Sequence, residues 1–285
     1  MENTKIITYD GFELNVFSAQ VTRPKLNIIF IHGYTDHSGR YKELKKRMNN
    51  AGYSITFYDQ RGHGISGGKK GYVSDFDHYC KDLTLVINKF SRKGVPNILM
   101  GVSMGGCILS KYLIDHGEGI ISGAVLLSPM LKISDNVAPF LRRISKILAL
   151  ITPRLKTIKL ESSALSRNKE VVKNYQNDPL VYHEGAIVKT GVEMLKAIGY
   201  VKRNFHKITL PVLVMHGTDD RLTDNKGSKY FVDHVISKDK LYLEYPGLYH
   251  ELLNEPEKDQ VYEDLLAWLS NEDRWINADM GTEIA

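Results

Sequence analysis

Short apolar runs alternate along this chain with longer stretches of helical period, and that alternation restricts the fold more than any other feature. The strand candidates are residues 5–8, 14–18, 26–31, 54–58, 98–102, 124–127, 212–216 and 241–245. From the third onward they read as continuous Val/Ile/Leu runs, the pattern of strands buried on both faces. Helical patterns occupy residues 41–51, 76–91, 104–116, 225–235 and 260–269. Such an order predicts an α/β domain with a mostly parallel eight-stranded sheet, right-handed crossovers and flanking helices. The first two strands, joined by Tyr9-Asp10-Gly11, read as an antiparallel edge hairpin. The rhythm breaks between Pro129 and Leu210, where prolines and helical stretches replace strands. The expectation is one core, residues 1–129 and 210–285, interrupted by a helical insertion at 130–209.

Gly101-Val102-Ser103-Met104-Gly105 sits where the fifth strand gives way to a helix. A serine between two glycines at that junction matches the G-x-S-x-G turn, in which a tight bend lifts the hydroxyl above the sheet. The helix N-terminus behind it favours developing negative charge. The alternative is a glycine-rich turn with a capping serine.

A serine hydroxyl is a weak nucleophile, so it needs a base, and the base needs an orienting acid. Behind such a turn the chain order is Ser, then Asp or Glu, then His. Six of the ten histidines follow Ser103. His250 stands apart because it lies in a loop directly after the last strand, where catalytic groups gather on open α/β sheets. The acid falls in Gly217-Thr218-Asp219-Asp220-Arg221, at the end of the preceding strand. Spacing alone does not choose between Asp219 and Asp220.

Further segments carry a resemblance: His32-Gly33-Tyr34-Thr35-Asp36-His37-Ser38-Gly39-Arg40-Tyr41, Tyr58-Asp59-Gln60-Arg61-Gly62-His63-Gly64-Ile65-Ser66, and Asn177-Asp178-Pro179-Leu180. Together with the Ser103 turn, the Gly217–Arg221 stretch and the His250 loop, they make the chain resemble monoacylglycerol lipases and lysophospholipases of the α/β-hydrolase superfamily, over about residues 8–269. The resemblance implies the α/β-hydrolase fold, with the insertion as a cap over the active site. It implies Asp220 as the acid and an oxyanion hole built from the backbone N–H groups of Met104 and Tyr34. Relatives tend to carry a smaller residue than Tyr34, which implies a narrower pocket there in this chain. It also implies a serine carboxylic-ester hydrolase that forms an acyl-enzyme on Ser103, needs no cofactor or metal, and takes a small lipid ester as substrate.

Two other functions share the fold. A prolyl-type aminopeptidase needs a cap carboxylate for the substrate's free amine, with Glu161, Glu184 and Glu193 available. A non-catalytic binding protein usually lacks a member of the triad. Asp59, Arg61 and His63 read as ties within a tight loop, and His32 and His37 as braces of the oxyanion loop. The net charge of +5 is mild and no basic tract marks nucleic-acid binding. Apolar positions from Val137 to Ile151 recur at helical spacing, among the basic residues Arg142, Arg143, Lys146, Arg154, Lys156 and Lys159. That pattern fits either a cap helix packed on the core or a face that touches a membrane surface. Two cysteines, Cys80 and Cys107, and no recognisable leader suggest reduced thiols in a cytoplasmic protein.

Overall fold

A computed structural model describes residues 2–134, 151–157, 159 and 161–276 of the chain. Eight strands form one sheet: β1 (Glu2–Ile7), β2 (Glu13–Ala19), β3 (Leu26–Ile31), β4 (Tyr53–Tyr58), β5 (Asn97–Val102), β6 (Ile121–Leu127), β7 (Val212–Gly217) and β8 (Lys240–Tyr245). Their order is β1-β2-β4-β3-β5-β6-β7-β8. Only the β1–β2 and β2–β4 pairs are antiparallel. The α/β fold class expected from the alternation is therefore the one observed.

Two details differ from the sequence reading. β2 lies inside the sheet, paired on both sides, and only β1 of that hairpin is an edge. At the other end β8 pairs with β7 alone and is not buried on both faces; Leu241 is 39% exposed. Its Leu-Tyr-Leu-Glu-Tyr run is apolar enough to resemble a central strand, but the polar atoms of Tyr242 and Glu244 need solvent or a polar partner. The edge provides it.

Helices cover both faces. α1 (Lys42–Asn50) and α7 (Lys258–Leu269) bury Leu44, Met48, Val261, Leu265 and Trp268 against one side. On the other lie α2 (Asp77–Phe90), α3 (Met104–His116), α5 (Val188–Asn204) and α6 (Asn225–His234). α4 (Lys169–Asn177) precedes α5 between β6 and β7. α5 packs Met194, Ala197 and Val201 into the same cluster as Ile108 and Leu109 of α3. The first eleven residues of α3, Met104 to Ile114, are all buried. A helix enclosed on nearly every side holds its N-terminus rigidly.

Register then aligns the strand ends. Ile31 lies opposite Gly101, Val102 opposite Leu127, and Leu127 opposite Met215. The loops that follow β3, β5, β6 and β7 therefore emerge together at the sheet's C-terminal edge, where ligands bind on open parallel sheets.

Candidate active site

Ser103 joins β5 to α3 with φ +53° and ψ −118°. That backbone is unusual for a residue with a side chain and marks a tight, strained turn. The flanking glycines are required by contact. A Cβ on Gly105 would sit 2.0 Å from the Ile31 carbonyl oxygen, and one on Gly101 would sit 2.5 Å from the Gly105 backbone. The turn is pinned by Ser103 N–H donating to the Leu127 carbonyl (3.0 Å) and by Met130 N–H donating to the Ser103 carbonyl (2.9 Å). The Ser103 hydroxyl has no hydrogen bond among the described residues.

His250 is buried in the loop after β8, and its Nδ1 lies 2.7 Å from Asp220 Oδ2. Asp219, the other candidate, is exposed and, among the described residues, accepts only from the neighbouring Thr218 hydroxyl (2.9 Å). Asp220 is surrounded by donors. Its Oδ1 accepts from the amides of Leu222 (2.8 Å) and Thr223 (3.0 Å). Its Oδ2 accepts from the Thr223 hydroxyl (2.8 Å) and from His216 Nε2 (3.1 Å). Burial alone would raise the Asp220 pKa, but His250 and His216 pull it far below the ordinary carboxylate range. Burial likewise pushes His250 down, and Asp220 more than reverses it, so the His250 pKa is raised. His216 and Thr223 were not singled out in the sequence. The Thr223 hydroxyl also reaches the Ser128 carbonyl (3.2 Å), two residues from the partner of the Ser103 carbonyl. The Asp220 and Ser103 loops are thus tied together.

The loop after β3 passes beside the serine. A Cβ on Gly33 would lie 3.3 Å from Ser103 Cβ and 3.8 Å from its Oγ. The amides of Tyr34, in this loop, and of Met104, opening α3, have no acceptor among the described residues. The Tyr34 phenol is committed elsewhere. It donates to the Gly71 carbonyl (2.8 Å) and accepts from the Ile187 amide (3.4 Å), with its ring edge-on to His63.

The remaining loud motifs are ties. Asp59 accepts from the Ser38 amide and hydroxyl and from the Ile65 amide. Arg61 bridges Asp82 and Asp10. His32 lies between the Gly33 carbonyl and the Gln60 amide, and His37 reaches Asp178 (2.9 Å). Burial drives His63 down to about 3, so it stays neutral, with Nδ1 on the Arg61 carbonyl. Arg40 joins Asp36 (3.0 Å) to Glu251 (2.8 Å), linking the Tyr34 loop to the His250 loop. Among the described residues no three His, Cys, Asp or Glu side chains are placed to share a metal ion.

The segment between β6 and β7 reaches these loops. Tyr175 and Tyr182 bond to Thr35, and the Glu251 amide donates to the Leu165 carbonyl (2.8 Å). The apolar run expected at 137–151, with Arg142, Arg143 and Lys146, lies outside the described residues except for Ile151. Among the described residues no helix is long and apolar enough to cross a membrane.

Residues 22–257 match the family model described as serine aminopeptidase, S33. A monoacylglycerol lipase of Mycolicibacterium smegmatis is 37% identical over 251 residues, covering 87% of this chain and 89% of that one. A phospholipase of Bacillus subtilis is 34% identical, covering 84% and 93%. The crystal structure of the Paleococcus ferrophilus monoacylglycerol lipase superposes with a TM-score of 0.82 at 32% identity, covering 90% of this chain and 99% of that one. The chain is thus a serine hydrolase and belongs to the monoacylglycerol lipase and lysophospholipase family of the α/β-hydrolase superfamily.

Proposed function

We propose that the protein hydrolyses the carboxylic ester of a monoacyl lipid, a monoacylglycerol or lysophospholipid, through an acyl-enzyme on Ser103. The observation that carries this reading is the buried 2.7 Å contact between His250 and Asp220 at the sheet edge that also holds the strained Ser103 turn. Its lipid specificity draws on the relatives named as a monoacylglycerol lipase and a phospholipase.

With Nδ1 held by Asp220, His250 keeps Nε2 to accept the Ser103 proton. Ser103 attacks the ester carbonyl, and the Tyr34 and Met104 amides take the oxyanion, each such donor being worth about 3 kcal/mol. His250 returns the proton to the leaving alcohol. Water then repeats the sequence on the acyl-enzyme and releases the fatty acid. Residues 130–209 serve as the cap, with 1–129 and 210–285 as the catalytic core. Contact with a membrane surface would run through the 137–151 stretch, whose one described residue, Ile151, is 72% exposed. Flotation with anionic vesicles checks this contact: it should weaken in Arg142→Glu with Lys146→Glu, and unchanged binding would reject it.

The serine-aminopeptidase description of the family model favours the peptidase as the second reading. Each carboxylate it could use already has a partner. Glu193 pairs with Lys189 and Lys196, Glu184 with Lys156, and Glu161 accepts from Ser163. Hydrolysis of p-nitrophenyl esters from acetate to palmitate separates the readings. A lipid esterase peaks at medium or long chains and loses turnover in Ser103→Ala. No ester turnover at any length from folded protein would reject it.

A further inference from the structure

The residue after Tyr34 is held in a conformation it would not choose. Thr35 has φ +68°. A β-branched side chain rarely takes left-handed backbone, because its Cβ crowds the adjoining carbonyl. Thr35 is buried. Relaxation of its φ would turn the chain beside it and carry the Tyr34 amide away from Ser103, so something must oppose that relaxation.

The opposing contacts come from the insertion. Tyr175, on α4, places its hydroxyl 2.7 Å from Thr35 Oγ1 across 140 residues of sequence. The Tyr182 amide donates to the Thr35 carbonyl (3.0 Å). Tyr175 is itself fixed, with the Arg40 guanidinium 4.8 Å over its ring and the His183 ring edge-on at 5.6 Å. Burial pushes its phenol up to about 12, so it keeps its proton across the working range. Nothing in the proposed reaction uses this hydroxyl.

We infer that Tyr175 is a positioning residue for the oxyanion hole: from the insertion, its hydroxyl holds Thr35 in left-handed backbone and so keeps the Tyr34 amide beside Ser103. This rests on reading Ser103 as the nucleophile. An oxyanion donor matters in the transition state and little in substrate binding, so the contact should act on kcat rather than KM.

The test is a double-mutant cycle on p-nitrophenyl ester hydrolysis. Tyr175→Phe keeps the ring and removes the hydroxyl. It should lower kcat about fivefold, the net worth of one hydrogen bond, with KM within about twofold. Thr35→Gly removes the strain, since glycine takes left-handed backbone freely. Whatever rate that variant sets, adding Tyr175→Phe should change it less than about twofold. If Thr35→Gly fails to fold, Thr35→Asn takes its place, as asparagine also tolerates left-handed backbone. An equal loss in both backgrounds, a loss confined to KM, or no loss in Tyr175→Phe overturns the inference while leaving the esterase reading intact. A wild type without Ser103-dependent ester turnover overturns both.

Discussion

Replacing His216 by leucine tests how the acid is supported. His216 and the Asp220 carboxylate are both fully buried, so no water replaces a lost donor. Beside a carboxylate, His216 Nε2 must carry the proton, and its Nδ1, 2.7 Å from the Ser228 hydroxyl, accepts one. A hydrogen bond to a charged group contributes about 1.5–3 kcal/mol, and the 3.1 Å length places this one near the lower end. Leucine also strands the buried Ser228 hydroxyl, so urea denaturation should show a loss of about 2–3 kcal/mol. The second effect is electrostatic. A carboxylate with one donor fewer holds the His250 proton more tightly. If half of about 1.5 kcal/mol passes to that contact, the His250 pKa rises by about 0.5 unit. In the proposed reaction His250 must be neutral to accept the Ser103 proton, so the acid limb of kcat/KM should move up by about 0.5 pH unit. Glutamine at 216 restores a donor and should bring the limb back. Lost stability with an acid limb that stays in place or moves down would show that His216 does not tune His250 through Asp220.

Asp220→Asn removes the largest influence that raises the His250 pKa and leaves burial, so the acid limb should move down. Its kcat should drop by roughly four orders of magnitude, and a limb that does not move contradicts the assignment. In the wild type the raised pKa stabilises the fold fully below the unfolded value of about 6.5, and that contribution fades as pH climbs through the raised value. Activity should therefore rise over the window where this stabilisation is lost. Gly105→Ala meets backbone that cannot yield and should cost more than about 3 kcal/mol in thermal or urea unfolding. Gly191→Ala in α5 meets nothing within 4 Å among the described residues and should stabilise by about 0.5–1 kcal/mol. Arg40→Met leaves the buried Asp36 and Glu251 without the cation they share, at a cost of about 3–5 kcal/mol. The Arg40→Met deficit should shrink in acid, because Asp36, now held low by Arg40, could then protonate.

The inner strands were legible because β3, β5 and β7 are buried on both faces and so are apolar at most positions, with Asn27, Asn97 and His216 the polar exceptions. β8 misled for the same reason in reverse, since leucines and tyrosines fill an edge as readily as a centre. The Ser103 turn could be read from two glycines because backbone contact at Gly101 and Gly105 admits nothing larger. Asp219 and Asp220 could not be separated by spacing, as both leave the same strand end; the turn from Gly217 to Thr223 decides which one faces His250. His216 carried no signal, because nothing in a strand's apolar pattern says that its final side chain will meet a carboxylate four residues on. Tyr175 carried less still. Its partner lies 140 residues away, and the strain that gives the contact meaning is a backbone angle.

The central claim is that the acyl group passes through Ser103. Rapid quenching during turnover of a long-chain p-nitrophenyl ester, followed by intact-mass and peptide mass spectrometry, tests it directly. A transient gain of one acyl group is expected on the peptide containing Ser103, absent in Ser103→Ala, which should be folded and inactive. Steady turnover with no adduct at any time, persisting in Ser103→Ala, would contradict it.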